Sequence, residues 1–367
     1  MRVDEAPHSA VAPPAEGPAV PTVSPTAWMG FARVAAMAAV VLVHAYSPFV
    51  STTYTDLGGP TWWTAHVVDA ALRWCVPVFI MISGALLLRP KEEDVRGFYR
   101  KRWARIGVPL LVWTLAYLLW QFWRDGIGFP DSLAQAASGS PSIHLYFLYV
   151  IAGLYVFTPF LRTVVAHTSR TGLWWFAGAA LSLGMLDQVS ALVDGVGGVT
   201  AATRFLPFLG YYLLGWLLVD RGPRPRDAFH GSVAFVLGTT GTVLGAGGIA
   251  TAAGEWGTGA EYVYDFLSPT MIVASVGAFL LLRAWGTRLA GLGARSRVNR
   301  TIAVLSGLSF GVYLVHVMVL YTLRDLGGTP DGLAGLTAAA GYAAATAVVS
   351  LLLVAAAQRV PLLRATV

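Results

Sequence analysis

From Trp28 onward the sequence is an almost unbroken succession of apolar stretches, each near the length a helix needs to cross the hydrocarbon core of a bilayer. They run approximately over Trp28–Val50, Trp62–Leu88, Ile106–Trp123, His144–Leu161, Leu173–Leu192, Phe205–Val219, Val233–Ala253, Phe266–Leu282, Ile302–Leu323 and Leu333–Ala357. The sixth is short and the eighth marginal. Such a chain satisfies its backbone in lipid only as helices, so an all-α polytopic bundle of about ten transmembrane helices is expected, with residues 28–357 forming one membrane domain. Composition agrees, because 56% hydrophobic residues against 12% charged ones cannot cover a soluble globule of this length. Disordered, collagen-like and coiled-coil classes are excluded on the same ground. Residues 1–27 carry Pro7, Pro13, Pro14, Pro18, Pro21 and Pro25 among Ala, Ser and acids, and read as a disordered tail. Asp4, Glu5 and Glu16 precede any apolar run, so this tail is not a cleavable signal. Residues 358–367 make a second, short tail.

Charge placement tests the count independently. Twenty of the 25 basic residues fall in alternate connections or at the termini, including the run Arg89, Lys91, Arg96, Arg100, Lys101, Arg102 and Arg105. The opposite connections hold only Arg124, Arg204 and Arg324, together with acids such as Asp56, Asp187, Glu255, Asp265 and Asp325. By the positive-inside rule both termini are expected in the cytoplasm. The formal charge of +6 is therefore a topology signal, and no nucleic-acid partner is expected. If the short sixth stretch failed to span, the Arg221–Arg226 cluster and the acidic Asp187–Asp194 connection would share a side. The single Cys75 excludes an intramolecular disulfide and a thiol metal cluster, and no metal site is expected.

Arg33 and His44 remain inside the first stretch, 11 residues apart. That spacing is a net rotation of about 20° and a rise of about 16 Å, so both side chains face one way at different depths. Ionisable groups in the membrane are costly and point at a partner or a wet cavity. The plainer account has Arg33 snorkelling to headgroups and His44 satisfied by helix packing.

These residues sit in a pattern. Phe31-Ala-Arg33 through His44 resembles the first-helix signature of the acyltransferase-3 family of integral membrane O-acyltransferases, a basic residue followed by ten residues and a His. Val76-Pro-Val-Phe-Ile-Met-Ile-Ser83-Gly84, Tyr99-Arg-Lys-Arg102-Trp-Ala-Arg105-Ile-Gly-Val-Pro109, His144-Leu-Tyr-Phe-Leu-Tyr149 with Leu154-Tyr-Val-Phe-Thr-Pro159, and Ser309-Phe-Gly-Val-Tyr313-Leu-Val-His316 are similar to further family blocks in the right order. The likeness spans roughly residues 28–320. Gly30 stands where the family often has an acid, and Tyr146 where Trp is commoner.

The resemblance implies transfer of an acyl group, most often acetyl, from cytoplasmic acyl-CoA to a hydroxyl of an extracytoplasmic or membrane-held acceptor, which is a glycan, a lipid-linked sugar or a secreted small molecule. Acyl-CoA is then a co-substrate, with no permanently bound cofactor. It also implies His44 as the base that takes the hydroxyl proton, a task suited to an imidazole, with Arg33 beside the donor. Arg102 and Arg105 are placed by the same match on the donor's phosphates, against the plain alternative that cytoplasmic connections are basic anyway. The expected location is a bacterial plasma membrane.

Other residues share faces. Ser309, Tyr313 and His316 form one stripe of the ninth stretch, as oxyanion donors, acceptor ligands or mere packing. His66, Asp69 and Arg73 share a face of the second. There Asp69 either pairs with Arg73 or orients an imidazole as a triad carboxylate does. His144 lies at the outer mouth of the fourth. The rival function is a proton-coupled transporter or lipid exporter with His44, Asp69 and His316 as a relay. No nucleophile elbow, phosphate loop or zincin motif occurs.

Overall fold

A computed structural model describes residues 26–52, 56–194 and 200–367. Most of the expected disordered tail, residues 1–25, lies outside the described residues. Those described contain no strand. The helices are α1 (Trp28–Ser51), α2 (Pro60–Leu72), α3 (Cys75–Leu87), α4 (Val95–Arg102), α5 (Val108–Asp125), α6 (Phe129–Ser138), α7 (Tyr146–His167), α8 (Arg170–Asp194), α9 (Leu209–Asp220), α10 (Asp227–Ala253), α11 (Thr258–Tyr264), α12 (Pro269–Ala290), α13 (Arg297–Gly327), α14 (Gly332–Ala357) and α15 (Pro361–Arg364).

Eight helical spans among the described residues are long and apolar enough to cross a membrane. The other two expected stretches are α8, 25 residues long, and α9, 12 residues long after a 3₁₀ turn at Leu206–Phe208. That turn and α9 together reach only about 24 Å, against a hydrocarbon core of about 30 Å. The mismatch is harmless because α9 is sheathed in protein: Tyr211, Tyr212, Leu213 and Leu217 are wholly buried. It also lies backbone to backbone on α3. A Cβ on Gly84 would land on the Tyr212 carbonyl oxygen, and one on Gly215 on that of Met81.

Polar contacts between elements join groups that the charge pattern places at one end. At the basic end Arg162 reaches Glu93 (3.2 Å) and Arg170 reaches Asp220 (3.2 Å), while Arg283 donates to the Leu218 carbonyl (2.7 Å). At the acidic end Arg124 grips Asp325 with two hydrogen bonds (2.7 and 2.9 Å). Arg204 donates there to the Ser138 carbonyl (3.0 and 2.7 Å). The start of α8 and the end of α9 are thus tied together at Arg170 and Asp220, and the short α9 returns the chain to the basic end.

Two proline-directed irregularities shape the interior. Pro77 has no N–H for the Arg73 carbonyl, and the second span breaks between α2 and α3 at Arg73 and Trp74. Pro109 likewise leaves the Arg105 carbonyl without its helical partner, and the chain passes through a π-helical turn at Trp103–Gly107 between α4 and α5, with Val108 N–H bonded to the Trp103 carbonyl. Central in the bundle is α1, packed against α2, α3, α12, α13 and α14 through a face rich in small residues, among them Ala32, Ala36, Ala39 and Ala45.

Candidate active site

Because α1 is central and unbroken across residues 28–51, His44 stands in the middle of the bundle, about 16 Å along the helix from Arg33. Its ring lines a cavity of about 510 Å³. The other walls come from the α2–α3 break (Arg73, Cys75, Val76), the approach to α7 (Ile143, His144, Tyr146, Phe147), Gln188 of α8, Arg204 with Pro207 and Phe208, Asp265 and Phe266 ahead of α12, and Tyr313 and Tyr321 of α13. These groups lie toward the acidic end.

Two more histidines back His44. The His44 and His316 ring centres are 5.3 Å apart, those of His144 and His316 5.0 Å, and those of His44 and His144 6.3 Å. His144 and His316 are 2% and 0% exposed, and the Nε2 atom of each is buried without a hydrogen-bond partner. The tautomer of His316 follows from its contacts. Its Nδ1 lies 2.7 Å from the Tyr313 carbonyl, which only accepts, so Nδ1 carries the proton and Nε2 the lone pair. His144 is set by Ser142 Oγ at Nδ1 (3.2 Å) and by the Tyr117 ring, 4.9 Å away. Tyr313 lines the cavity, but its hydroxyl is donated to the His144 carbonyl. Among the described residues no set of three or more His, Cys, Asp or Glu, these three included, is arranged to hold a metal ion.

The remaining expected residues separate. Ser309 shares a helix with Tyr313 and His316 but is outside the cavity wall, its hydroxyl given to the Ser306 carbonyl (2.9 Å). Asp69 accepts from Arg73 (2.8 Å) and from no imidazole among the described residues. That ion pair, with the Arg73 guanidinium 4.3 Å over the Tyr264 ring, holds Arg73 at the cavity wall. His66 is stacked between Trp62 (4.7 Å) and Tyr264 (5.2 Å), with Nε2 donating to the Val243 carbonyl (2.9 Å), and does not line the cavity. Arg204, Asp265 and Gln188 line the cavity although in the sequence they read as connection charges or plain polarity. The available signal was that Arg204 is one of only three arginines on the acidic side.

Toward the basic end Arg33, Arg102 and Arg105 form no salt bridge among the described residues. Arg102 lies over the rings of Phe98 (5.3 Å) and Tyr155 (5.7 Å), with Nε buried and unpartnered. Neighbouring cations without an acid between them form an anion-binding surface. The π-helical turn enters directly after Arg102 and contains Arg105, so the pair straddles a change of helical phase instead of sharing one regular α-helical face. At Gly30 a Cβ would meet Ile302 (3.4 Å) and Ser306 (3.8 Å) at ordinary contact distances, so the backbone there has room for a side chain to begin.

The sequence model of the acyltransferase-3 family, described as an acyltransferase domain, matches residues 26–355. No curated protein and no solved structure matches the chain.

Proposed function

Since the chain belongs to the acyltransferase-3 family and is a membrane acyltransferase, we propose that it moves an acyl group, acetyl in the first instance, from acyl-CoA at the basic end to a hydroxyl of a glycan or related small molecule held in the cavity at the other. The observation that carries this reading is the position of His44. Its imidazole meets the acceptor cavity on one side, while the unpaired arginines approach from the other end of the same helix bundle.

The chemistry follows from the groups present. His44 takes the proton of the acceptor hydroxyl as its oxygen attacks the thioester carbonyl. The tetrahedral intermediate collapses to the ester, and the coenzyme A thiolate leaves and recovers that proton from the imidazolium. His316 serves as a positioning residue: its lone-pair Nε2 is buried without a partner, and with ring centres 5.3 Å apart a small rotation lets it accept from the second N–H of His44. Arg33, Arg102 and Arg105 hold the polyanionic donor. The basic end is then cytoplasmic, where acyl-CoA is supplied, and both termini lie there.

Purified protein is expected to release free coenzyme A from acetyl-CoA in an acceptor-dependent manner, and Arg102→Ala/Arg105→Ala to raise the KM for acetyl-CoA. Accumulation of a solute in vesicles without acyl-CoA, and no thiol release with any polyol, would instead speak for transport.

A further inference from the structure

Where α9 hands the chain to α10, at the basic end, a hollow of about 550 Å³ is walled by Arg221, Arg224, Arg226, Asp227, His230 and Leu280. It shares no residue with the His44 cavity. Arginines belong at this end by topology alone, so their number decides nothing, and their partners do. Asp227 is the one acid in the wall, and both its oxygens are used: Oδ1 accepts from Arg221 Nη2 (2.7 Å) and Oδ2 from the Arg224 N–H (2.9 Å). Arg221 is still only partly satisfied. Its side chain is 10% exposed, and Nη1 is buried without a hydrogen-bond partner. Arg224 and Arg226 form no side-chain salt bridge among the described residues. Three guanidinium groups against one carboxylate leave the wall with surplus positive charge. No side chain caps the start of α10, whose end adds partial positive charge. The opposing negative end of α9 is covered, because Arg283 donates to the Leu218 (2.7 Å) and Gly222 (3.4 Å) carbonyls.

The same face of α10 continues into hydrocarbon. Arg226, His230, Val233, Leu237 and Leu244 follow one another at four, three, four and seven residues, spacings that keep them on one side of the helix. Past the two polar residues, Val233, Leu237 and Leu244 are 41%, 65% and 64% exposed, as suits side chains in lipid. From His230 to Leu244 the helix rises about 21 Å, more than one leaflet's share of a core of about 30 Å. Cationic hollow and apolar stripe thus come in the order of an anionic lipid's own parts, headgroup and then chain. A soluble anion has no use for the stripe, and a zwitterionic headgroup brings its own cation to the arginines.

We propose that this hollow binds an anionic phospholipid of the leaflet at the basic end, its phosphate held by Arg221, Arg224 and Arg226 and one chain lying along α10. Asp227 fixes Arg221 in place, and the guanidinium donors that Asp227 does not take go to the phosphate oxygens. Full-length protein in neutral detergent is titrated with phosphatidylglycerol, with phosphatidylcholine of the same chains and with glycerol phosphate, and complexes are counted by native mass spectrometry. Phosphatidylglycerol is expected to bind about tenfold or more tightly than either of the others, and Arg224→Gln/Arg226→Gln to abolish that preference. Arg359→Gln/Arg364→Gln removes the same charge elsewhere at the basic end and is expected to leave the preference intact. All four side chains belong to exposed residues, so both variants are expected to fold. Equal binding of the two lipids would make the hollow a contact for any lipid, and equal loss in both variants would make the effect one of bulk charge. Glycerol phosphate binding as tightly as phosphatidylglycerol would make it a site for soluble phosphates. Each of these results, or an undiminished preference in Arg224→Gln/Arg226→Gln, overturns the proposal.

Discussion

His44 is the residue on which the proposed chemistry turns, and its neighbourhood gives it distinct tests. Replacing it by Ala removes the proposed general base, a group that contributes about 10² to 10⁴ in rate. The cavity-lining position makes a folded variant the expected result. If His316 acts through His44 as proposed, His316→Ala is expected to lower kcat about tenfold with the KM for acetyl-CoA unchanged, and His316→Gln, which keeps a side-chain acceptor, to recover some of the loss. A steady-state comparison of the two variants checks this. Away from the membrane, the Glu93 carboxyl is held below its ordinary value of 4.5 by hydrogen bonds from Lys101 and then Arg162. A depressed folded-state value stabilises the fold above the unfolded-state value, about 4.3, and that contribution is lost as pH falls through the folded-state value. Thermal melts at about pH 6 and about pH 3.5 should show wild type losing more than Glu93→Gln. At this scale sequence spacing was a partial guide. It placed Ser309, Tyr313 and His316 on one stripe, but Ser309 turns its hydroxyl to its own helix, and the meeting of His44, His144 and His316 depends on three elements distant in sequence.

Helices set these residues in place through their irregularities. The causes were present in the sequence as Pro77 and Pro109, yet hydropathy averages across such breaks, and the stretches Trp62–Leu88 and Ile106–Trp123 read as uniform. The α2–α3 break puts Arg73 on the cavity wall, and the π turn sets the phase of Arg102 against Arg105. Pro109→Ala supplies the missing N–H and favours a regular α-helix, so the expected result is a raised KM for acetyl-CoA with little loss of stability. An unchanged KM would separate the turn from donor binding. The α3–α9 contact is less forgiving: with the Tyr212 carbonyl in the way, Gly84→Ala must push the helix backbones apart and is expected to cost about 1–3 kcal/mol, seen as a lower midpoint in thermal unfolding. The short sixth stretch looked weakest by length alone because its burial inside the bundle is a tertiary property.

For the whole molecule, the alternation of basic and acidic connections was legible before any coordinates, since it follows from where arginines can stay in a membrane. Contacts such as Arg124–Asp325 and Arg170–Asp220 join groups that this alternation assigns to one end. The cavity was legible only in the isolated Arg204 on the acidic side; Gln188 and Asp265 are unremarkable in sequence and acquire meaning only when α8, the segment ahead of α12, and α13 close around His44. The resulting account has one reaction crossing the bilayer, with donor at the basic end, acceptor at the acidic end and a single imidazole between them. Its most direct test is acceptor-dependent release of coenzyme A from acetyl-CoA by the purified protein and by a His44→Ala variant with the same thermal midpoint. The account predicts release by the wild type and a loss of at least about 100-fold in the variant, whereas full turnover by folded His44→Ala protein would contradict it.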